Sequence, residues 1–578
     1  VKNLSTSALA QMIADIIGLP AEECTPLAEI VFNETKGNAL YAKQYIQSLH
    51  EDEQENILTR LPPENHKNTT EERIVQLLAR KMKRFPQDVQ YLLQVASCLR
   101  GNFNVPVLCY AAEQEESRVQ DALALFSERH IVVYNEEFEC WTFSHDKYQE
   151  AACSLIPVAE RQRFHLKLGR TMQAQIPHEE LQDYVVLIAD LMIAGMDFLM
   201  DEEERENLAL LCLDAGRQVA HTCSFAYAID YMERGIRLLS LRHWRDQYCL
   251  SLDLFNAAAE LAYCIGKHDQ VDSLVSEIQK NARSFLDQLQ AYMTSILSLG
   301  ARGKSAEAIS VGMDCLTQLG YPLPKGKFNI QRDFNKTQRS LQNISREDIL
   351  NLSLIEDPKV MAAMTIIQML HPIFSASAPE YTMATGSRLV RLTLKHGLGP
   401  MSSIGFALYG LSLVRLGKAE EGYQYAKLGL HLLELLDNSR ECSVKVFLTL
   451  AVGPVPAKKP YSQALELMRQ ASHIGLETGD IEVCMKRTRT YVRSATSISV
   501  FSNALVWSHC YRRLYERPCV TDCCDFTLVI HSGQLLRRCG ILAPSALTTV
   551  AFIPTKPYSR TCLCVCSWWD ARKSSIRT

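Results

Sequence analysis

The sequence predicts a mainly α protein in which a helical subdomain and a winged-helix domain precede an α-solenoid of tetratricopeptide-like helix pairs. Apolar residues recur at every third and fourth position along most of the 578 residues, which is the helical period. Glycine and proline fall between these stretches, and similar segments return about every 37–40 residues. Because a single core stops growing beyond roughly 250–300 residues, we expect several units. The expected boundaries are 1–60, 71–157, 160–500 and an atypical tail, 501–578.

The first unit is expected to hold three helices. Ser5 or Thr6 can cap the first of them, because a hydroxyl at this position accepts from a free backbone N–H. The second and third helices are expected over 27–35 and 40–49, with Gly37 in the turn between them.

The second unit contains the strand signal of the sequence. The segment "HIVVYNEEFECWTF", residues 130–143, has two β-branched or aromatic runs around a polar turn, which predicts a β-hairpin. Helices that lead into one hairpin and one further helix predict a winged-helix shape. The leading helices are expected over 71–84, 87–99, 105–113 and 117–129.

Winged helices often bind DNA, but the charges here argue against nucleic acid. The helix before the hairpin carries Glu116, Asp121 and Glu128 against only Arg118 and Arg129. The whole chain has a net charge of −4. Such a helix would meet phosphates without net attraction, so no nucleic-acid partner is expected.

The third unit consists of repeated helix pairs. Small residues return at matching places of the repeats, at Ala228, Ala308 and Ala464. A Gly-Lys pair marks the turns that start at Gly266, Gly303 and Gly417. Repeats of this size are typical of an α-solenoid that binds proteins or peptides. The stretch 321–350 interrupts the pattern and is expected to be a long connection.

The cysteines indicate a reducing, cytoplasmic setting. Several stand singly in apolar helical patterns, where cysteine behaves as a small buried hydrophobe; these are Cys98, Cys212, Cys264 and Cys315. Eight of the twenty cysteines fall in the tail, between Cys510 and Cys566. Their spacing does not match paired zinc ligands, so no metal site is expected, and a misread exon or frame explains the tail better.

No membrane span or signal peptide is expected. The most apolar run, Met361 to Leu370, is far shorter than the roughly 20 residues that a bilayer-spanning helix needs. Nothing near Val1 has the basic, apolar and small-residue order of a signal peptide. We expect the chain to begin partway through a longer protein.

Gly303-Lys304-Ser305 matches the last three residues of a phosphate-binding loop. That loop needs a glycine five positions before the second one, and Ser298 stands there without a preceding strand. We therefore predict a repeat turn and no Walker A motif in the chain.

Ser144, His145 and Asp146 are the residue types of a hydrolase triad. Consecutive residues that enter a helix diverge by about 100° each, so these three cannot converge on one substrate and no catalytic residue is expected. Ser144 is predicted to cap the following helix, and Asp146 faces the positive end of its dipole. His145 has no structural task in this interpretation.

Residues 1–480 resemble a known family in several segments. "FSHDKYQEAACSLIP" (143–157) with "ERQRFHLKLGRTM" (160–172) is similar to the winged-helix end of STAND-type, AAA-like signalling ATPases attached to hybrid histidine kinases or serine/threonine kinases. "PLAEIVFNETKGNALYAKQYIQSL" (26–49) resembles the helical subdomain that follows the nucleotide-binding core of that family. The stretch that begins "LDLFNAAAELAYCIGK" at 252 resembles its tetratricopeptide-like region.

The resemblance implies a nucleotide switch. In that family an upstream P-loop domain binds ATP or ADP with Mg²⁺, the winged helix holds the closed ADP form, and the repeats bind partners. It implies that His145 senses the nucleotide phosphate and that this chain itself holds no cofactor. The family usually has Gly-Asn-Pro in its helical subdomain, whereas this chain has Gly37-Asn38-Ala39.

Three functions stay open on the sequence. The first is a regulatory segment, without its own catalysis, of a signalling ATPase linked to a kinase. The second is a free-standing tetratricopeptide-type adaptor for a protein partner. The third is an ATPase in its own right.

Overall fold

A computed structural model describes residues 3–17, 20–22, 24–39, 42, 43, 46, 70–99, 101–436 and 440–478. The predicted fold class is confirmed, since these residues form α-helices almost throughout, with one small sheet. The described residues divide into two compact units. Those of unit 1 lie within Val1–Thr222 and Asp230–Leu254, and those of unit 2 within Cys223–Ile229 and Phe255–Thr578.

The elements up to residue 221 include all three strands. They are α1 (Thr6–Ile17), α2 (Thr25–Thr35), α3 (Thr70–Met82), α4 (Gln87–Cys98), β1 (Asn102–Phe103), α5 (Val105–Ala112), α6 (Glu116–Glu128), β2 (Val132–Asn135), β3 (Cys140–Phe143), α7 (Asp146–Ser154), α8 (Arg161–Gln175), α9 (Leu181–Ala194), a 3₁₀ turn (Met196–Phe198) and α10 (Glu202–His221).

After residue 221 the elements that the structure describes are helical. They are α11 (Phe225–Leu238), α12 (His243–Asp246), α13 (Tyr248–Cys264), α14 (His268–Asn281), α15 (Phe285–Ala301), α16 (Ser305–Gln318), α17 (Lys327–Gln342), α18 (Arg346–Leu350), α19 (Pro358–Ser377), a 3₁₀ turn (Pro379–Tyr381), α20 (Thr382–His396), α21 (Pro400–Arg415), α22 (Ala419–Leu435), α23 (Arg440–Val452) and α24 (Tyr461–Thr478).

Helices α1 and α2 form where the sequence places them. The Ser5 hydroxyl accepts from the Ala8 N–H at 3.2 Å and caps α1, as predicted. Helix α2 ends at a left-handed residue, Lys36 (φ 51°), and the Gly37 carbonyl then accepts from the Leu4 N–H at 2.7 Å. The helix expected over 40–49 lies almost wholly outside the described residues.

The sheet has the order β1-β3-β2 and is antiparallel throughout. The predicted hairpin is present, with Val132 opposite Phe143 and Tyr134 opposite Trp141. Strand β1, which pairs Phe103 with Trp141, was not predicted. Its two residues are too few to show a period of two, so the sequence carries no signal for it.

The Gly-Lys turns of unit 2 share one geometry. Gly266, Gly303 and Gly417 have φ values of 74°, 74° and 85°. In each turn the N–H of the following lysine donates to the carbonyl five residues earlier, at 2.9 Å, and the next helix starts at once. This is a Schellman ending, which satisfies a carbonyl at the end of the first helix of each pair. The three turns are therefore equivalent repeat turns.

The turn between α10 and α11 follows the same course with cysteine in place of glycine. Cys223 adopts φ 59°, and the Ala228 N–H donates to the Ser224 carbonyl as α11 begins. A left-handed conformation costs an L-residue roughly 1–2 kcal/mol. This repeat therefore carries backbone strain that the glycine turns avoid.

The stretch 321–350 was expected to be a connection, and this was wrong. It holds α17 and the short α18. Helix α17 buries Ile330, Phe334 and Leu341 at helical spacing, but polar residues fill the rest of it and hide the pattern. Asp333 of α17 pairs with Arg391 of α20, which fixes the inserted helix on the repeats.

Helices α20, α21 and α22 approach each other through glycine. A Cβ on Gly410 would lie 2.5 Å from the Gly422 carbonyl, and a Cβ on Gly422 would lie 2.6 Å from the Gly410 carbonyl. A Cβ on Gly386 would lie 2.7 Å from the Tyr409 nitrogen. Such separations exclude any side chain, so the backbones of α21 and α22 are in direct contact.

Among the described residues, one helix, α19, is long and apolar enough to cross a membrane by length and composition alone. A helix that is buried in the core of a protein can have the same length and composition. In unit 2, α19 packs against α15 and α16 before it and α20 and α21 after it. Its apolar side chains Ile366, Leu370 and Phe374 are completely buried in that core.

All eleven cysteines in the described part of the chain are free. Burial raises the pKa of the Cys212 thiol to about 12 and that of Cys315 to about 11, which keeps both protonated. Cys98 is half-buried. Cys264 was expected to be buried but is exposed, because its place at the last position of α13 lies next to the turn.

The close contact between α21 and α22 predicts a large effect of a small substitution. Gly410→Ala is expected to lower the free energy of unfolding by about 1–3 kcal/mol, because the new methyl group meets backbone atoms that cannot move aside. Gly300→Ala is the matched control, since its Cβ would meet only the end of the Ile373 side chain, Cδ1 at 3.3 Å and Cγ1 at 3.7 Å. Urea denaturation followed by far-UV circular dichroism measures both, and equal effects would contradict the contact.

The strained turn at Cys223 predicts a gain in stability. Cys223→Gly is expected to raise the free energy of unfolding by about 0.5–1 kcal/mol, because glycine adopts the positive φ without steric cost. Cys223→Ala keeps the Cβ and is expected to leave stability nearly unchanged. The same urea titration compares the two variants, and a matching gain in Cys223→Ala would show that the thiol and not the backbone is responsible.

Candidate functional site

His145 stands at the N-cap of α7 in unit 1. Its backbone is extended, and its Nδ1 accepts from the Lys147 N–H at 3.1 Å. The first turn of the helix thereby gains an acceptor for one of its free donors. His145 thus has the structural task that the sequence did not assign to it.

Ser144 does not cap the helix, which corrects the prediction from the sequence. Its hydroxyl donates to the His130 carbonyl at 2.6 Å, and its N–H donates to the Ile131 carbonyl at 2.9 Å. Both bonds continue the β2–β3 pairing by one residue. Ser144 therefore belongs to the end of the hairpin, and the helix starts one residue later than expected. Asp146 lies in the first turn, as predicted.

The carbonyl that accepts the hydrogen bond from the Ser144 hydroxyl belongs to a residue with a strained backbone. His130 follows α6 and adopts φ 55°, a conformation in which histidine is enriched among non-glycine residues. The left-handed residue turns the chain from α6 into β2. The sequence shows only a histidine between a helix and a β-branched run, which carries no recognisable signal of this turn.

Helix α7 is anchored to α4 behind the site. The Gln149 amide donates to the Ser97 carbonyl at 3.0 Å, and Tyr148 and Ala151 are buried. The Gln94 amide donates to the Leu155 carbonyl at 3.4 Å, just after the helix. These contacts hold the middle and the C-terminal end of α7 against α4.

The cap determines what His145 can do chemically. Since Nδ1 accepts a hydrogen bond, the proton of the neutral ring is assigned to Nε2. His145 is exposed, so its Nε2–H can donate to solvent or to an anionic oxygen. The Ser144 and His145 side chains each bond to backbone groups and not to each other, which leaves no nucleophile–base pair.

The Gly303-Lys304-Ser305 segment is the repeat turn between α15 and α16. Ser298, where a phosphate-binding loop would need glycine, is completely buried, with its hydroxyl 3.0 Å from His268 Nδ1. Lys304 pairs with Glu307 in the first turn of α16. The basic side chain is therefore engaged by its own helix.

A shallow surface pocket of about 440 Å³ adjoins the equivalent turn at Gly266. Lys267, His268 and Arg302 contribute to its lining. Two 2.8 Å bonds join the Arg302 guanidinium to the Asp272 carboxylate, so its charge is balanced. Within the described residues no group of three or more His, Cys, Asp or Glu side chains is placed to hold a metal ion.

The three-dimensional comparison found a helical signalling protein. A STAND protein with a tetratricopeptide repeat sensor from Pyrococcus horikoshii overlaps 92% of this chain and 74% of its own, with 11% identity and a TM-score of 0.33. So low a score supports no inference about this chain. No family model matches the sequence.

The curated relative gives the stronger signal. "Hybrid signal transduction histidine kinase G" of Dictyostelium discoideum is 18% identical over 571 residues, covering 83% of this chain and 16% of that protein. The chain is similar to part of a signalling histidine kinase. It spans about a sixth of the relative's length, so the activities of the rest of that protein are not carried by the match.

The capping contact gives a local prediction. His145→Ala is expected to weaken the first turn of α7 by about 1 kcal/mol, because the Lys147 N–H loses its acceptor. His145→Ser retains a capping oxygen and is expected to behave like the wild type. Hydrogen exchange of residues 146–150, followed by mass spectrometry, should be about fivefold faster in the alanine variant alone. Equal exchange in all three proteins would contradict the cap.

Proposed function

We propose that this chain is a regulatory segment, without its own catalysis, of a signal-transduction ATPase linked to a histidine or serine/threonine kinase. The observation that carries the proposal is the similarity to a hybrid signal transduction histidine kinase along 83% of the chain. Helix pairs joined by equivalent left-handed turns support a repeat surface for protein partners.

The unit boundaries predicted from the sequence are part of this proposal. The element order α4-β1-α5-α6-β2-β3, with β3 between the other two strands, supports a winged-helix domain over 71–157. The helix pairs from α8 onward support a solenoid that begins near residue 160. The free cysteines agree with a cytoplasmic setting. The end of the solenoid near 500 and the tail, 501–578, lie outside the described residues.

His145 is the proposed nucleotide sensor. Its Nε2–H can donate to a phosphate oxygen of ADP while Nδ1 continues to cap α7. The nucleotide, with Mg²⁺, would be held by an upstream domain of the kind that the resemblance implies. Exchange of ADP for ATP would move the phosphate contact and release the winged helix. Partner binding on the repeats and the nucleotide state would then shift the same equilibrium between the closed and the released form.

The second function is a free-standing adaptor. The same helix pairs would bind a protein partner without any nucleotide. This reading is favoured by the cap, which by itself explains a histidine at this position. The two functions differ in whether His145 contacts a phosphate.

Nucleotide titration of the 578-residue chain distinguishes them. We expect no ATP hydrolysis above background. Because an upstream domain would hold the rest of the nucleotide, this chain is expected to bind ADP only weakly, at millimolar concentration, through the phosphate contact of His145, and to lose that binding in His145→Ser, which keeps the cap; isothermal titration calorimetry measures it. ATP hydrolysis would overturn both functions. ADP binding that survives in His145→Ser would remove His145 from the switch, and no binding by the wild type at that concentration would favour the adaptor.

A further inference from the structure

Helix α17, which is inserted among the repeats of unit 2, carries cations in a row on its outer face. Its inner face buries Ile330 and Phe334. Arg332, Lys336 and Arg339 are exposed, and their spacing of four and three residues puts them on one side of the helix, opposite the buried residues. We call these three residues the basic row. It extends about 10 Å along the helix.

The charge of the basic row is not balanced within the described part of the chain. Asp333 is the one acidic residue of α17, and it pairs with Arg391 of α20. The three cations of the basic row make no ion pair with another described residue. Phe328, one turn before Arg332 on the same face, is 79% exposed. The outer face of α17 is therefore a positive surface with one apolar side chain at its end.

The arrangement of charge is unfavourable for the helix itself. Like charges three or four residues apart repel each other and destabilise a helix. Lys327 adds a cation at the first helical position, where the helix dipole favours an anion, and the first turn has neither an acidic residue nor a side-chain cap. Departures from local helix rules are expected where function requires them. The basic row therefore points to an anionic partner that supplies the missing charge.

The rest of the surface indicates which kind of anion this is. Nucleic acid is attracted by a positive field around the protein, whereas this chain has a net charge of −4. A membrane surface requires apolar side chains that insert into it, whereas α17 turns its apolar face inward and leaves only Phe328 outside. An acidic protein segment requires only carboxylates at matching positions and one apolar contact.

We propose that the basic row binds an acidic helical segment of a partner protein. Carboxylates at every third and fourth residue of that segment match the spacing of the cations, and an apolar side chain beside them covers Phe328. Arg332 and Arg339 can each hold a carboxylate through two N–H groups. The binding surface does not include His145 and needs no nucleotide, so the proposal stands or fails separately from the proposed function.

A peptide titration tests the chemistry. The probe is a fluorescein-labelled, alanine-based peptide of about eighteen residues, long enough to form a helix, with glutamates at every third and fourth position along one face and one leucine beside them. The full chain is titrated into it and fluorescence anisotropy is measured. One control peptide has glutamine for each glutamate, and a second has the same composition with the glutamates spread around the helix. We expect no binding of the first control and at least about fivefold weaker binding of the second.

Charge removal tests the location. The triple variant R332Q/K336Q/R339Q is expected to weaken binding of the acidic peptide at least about tenfold and to flatten its salt dependence. The matched control K280Q/K359Q/K427Q removes the same charge from other exposed positions of unit 2 and should bind like the wild type. Phe328→Ala is expected to weaken binding about threefold at every salt concentration, because it removes an apolar contact.

Urea denaturation separates binding from a role in folding. The triple variant is expected to unfold at the same urea concentration as the wild type or at a higher one, because the basic row only repels itself in the free chain. Reduced stability would show that the cations serve the fold and would overturn the proposal. It would equally be overturned by no binding of the acidic peptide, equal loss in both triple variants, equal binding of either control peptide, or tighter binding to duplex DNA or to vesicles that contain phosphatidylserine.

Discussion

The reversal of the chain between paired helices, completed within three residues, is the constraint on which the helical repeats depend. One residue of the turn must adopt a positive φ, and glycine does so without steric cost. The turns at Gly303 and Gly417 start the next helix at once, which puts Ala308 and Gly422 at the same place in their helices. Both are buried, and Gly422 lies against the backbone of the preceding helix. A fixed turn and a small residue together set the spacing of the pair.

Most of the helices could be predicted, because their apolar faces keep a regular period and glycine or proline marks their ends. The failures have physical causes. Strand β1 is too short to show any period, and α17 carries so few apolar residues that its sequence resembles a connection. The close approach of Gly386 to Tyr409 joins residues that are distant in sequence, and no local pattern reports such a contact.

The residue that caps α7 in the candidate site could not be predicted from the sequence. The start of a helix near Ser144 was predictable from residue type, but a hydroxyl and an imidazole are both able to cap, and the choice depends on the strand before them. Pairing of β3 with β2 uses the Ser144 N–H and hydroxyl, so the cap falls to His145. The tertiary pairing of the hairpin therefore decides which side chain ends up with a free donor at the surface.

Helix α19 has a consequence for the folding of the chain during its synthesis. It is the one segment among the described residues that is long and apolar enough to cross a membrane, yet part of the core that hides it comes from helices synthesised later, α20 and α21. While the ribosome adds those residues, α15 and α16 cover only one side of the nascent helix. The chain then presents a long apolar surface until α20 docks on it, and exposed apolar surface of this kind favours aggregation.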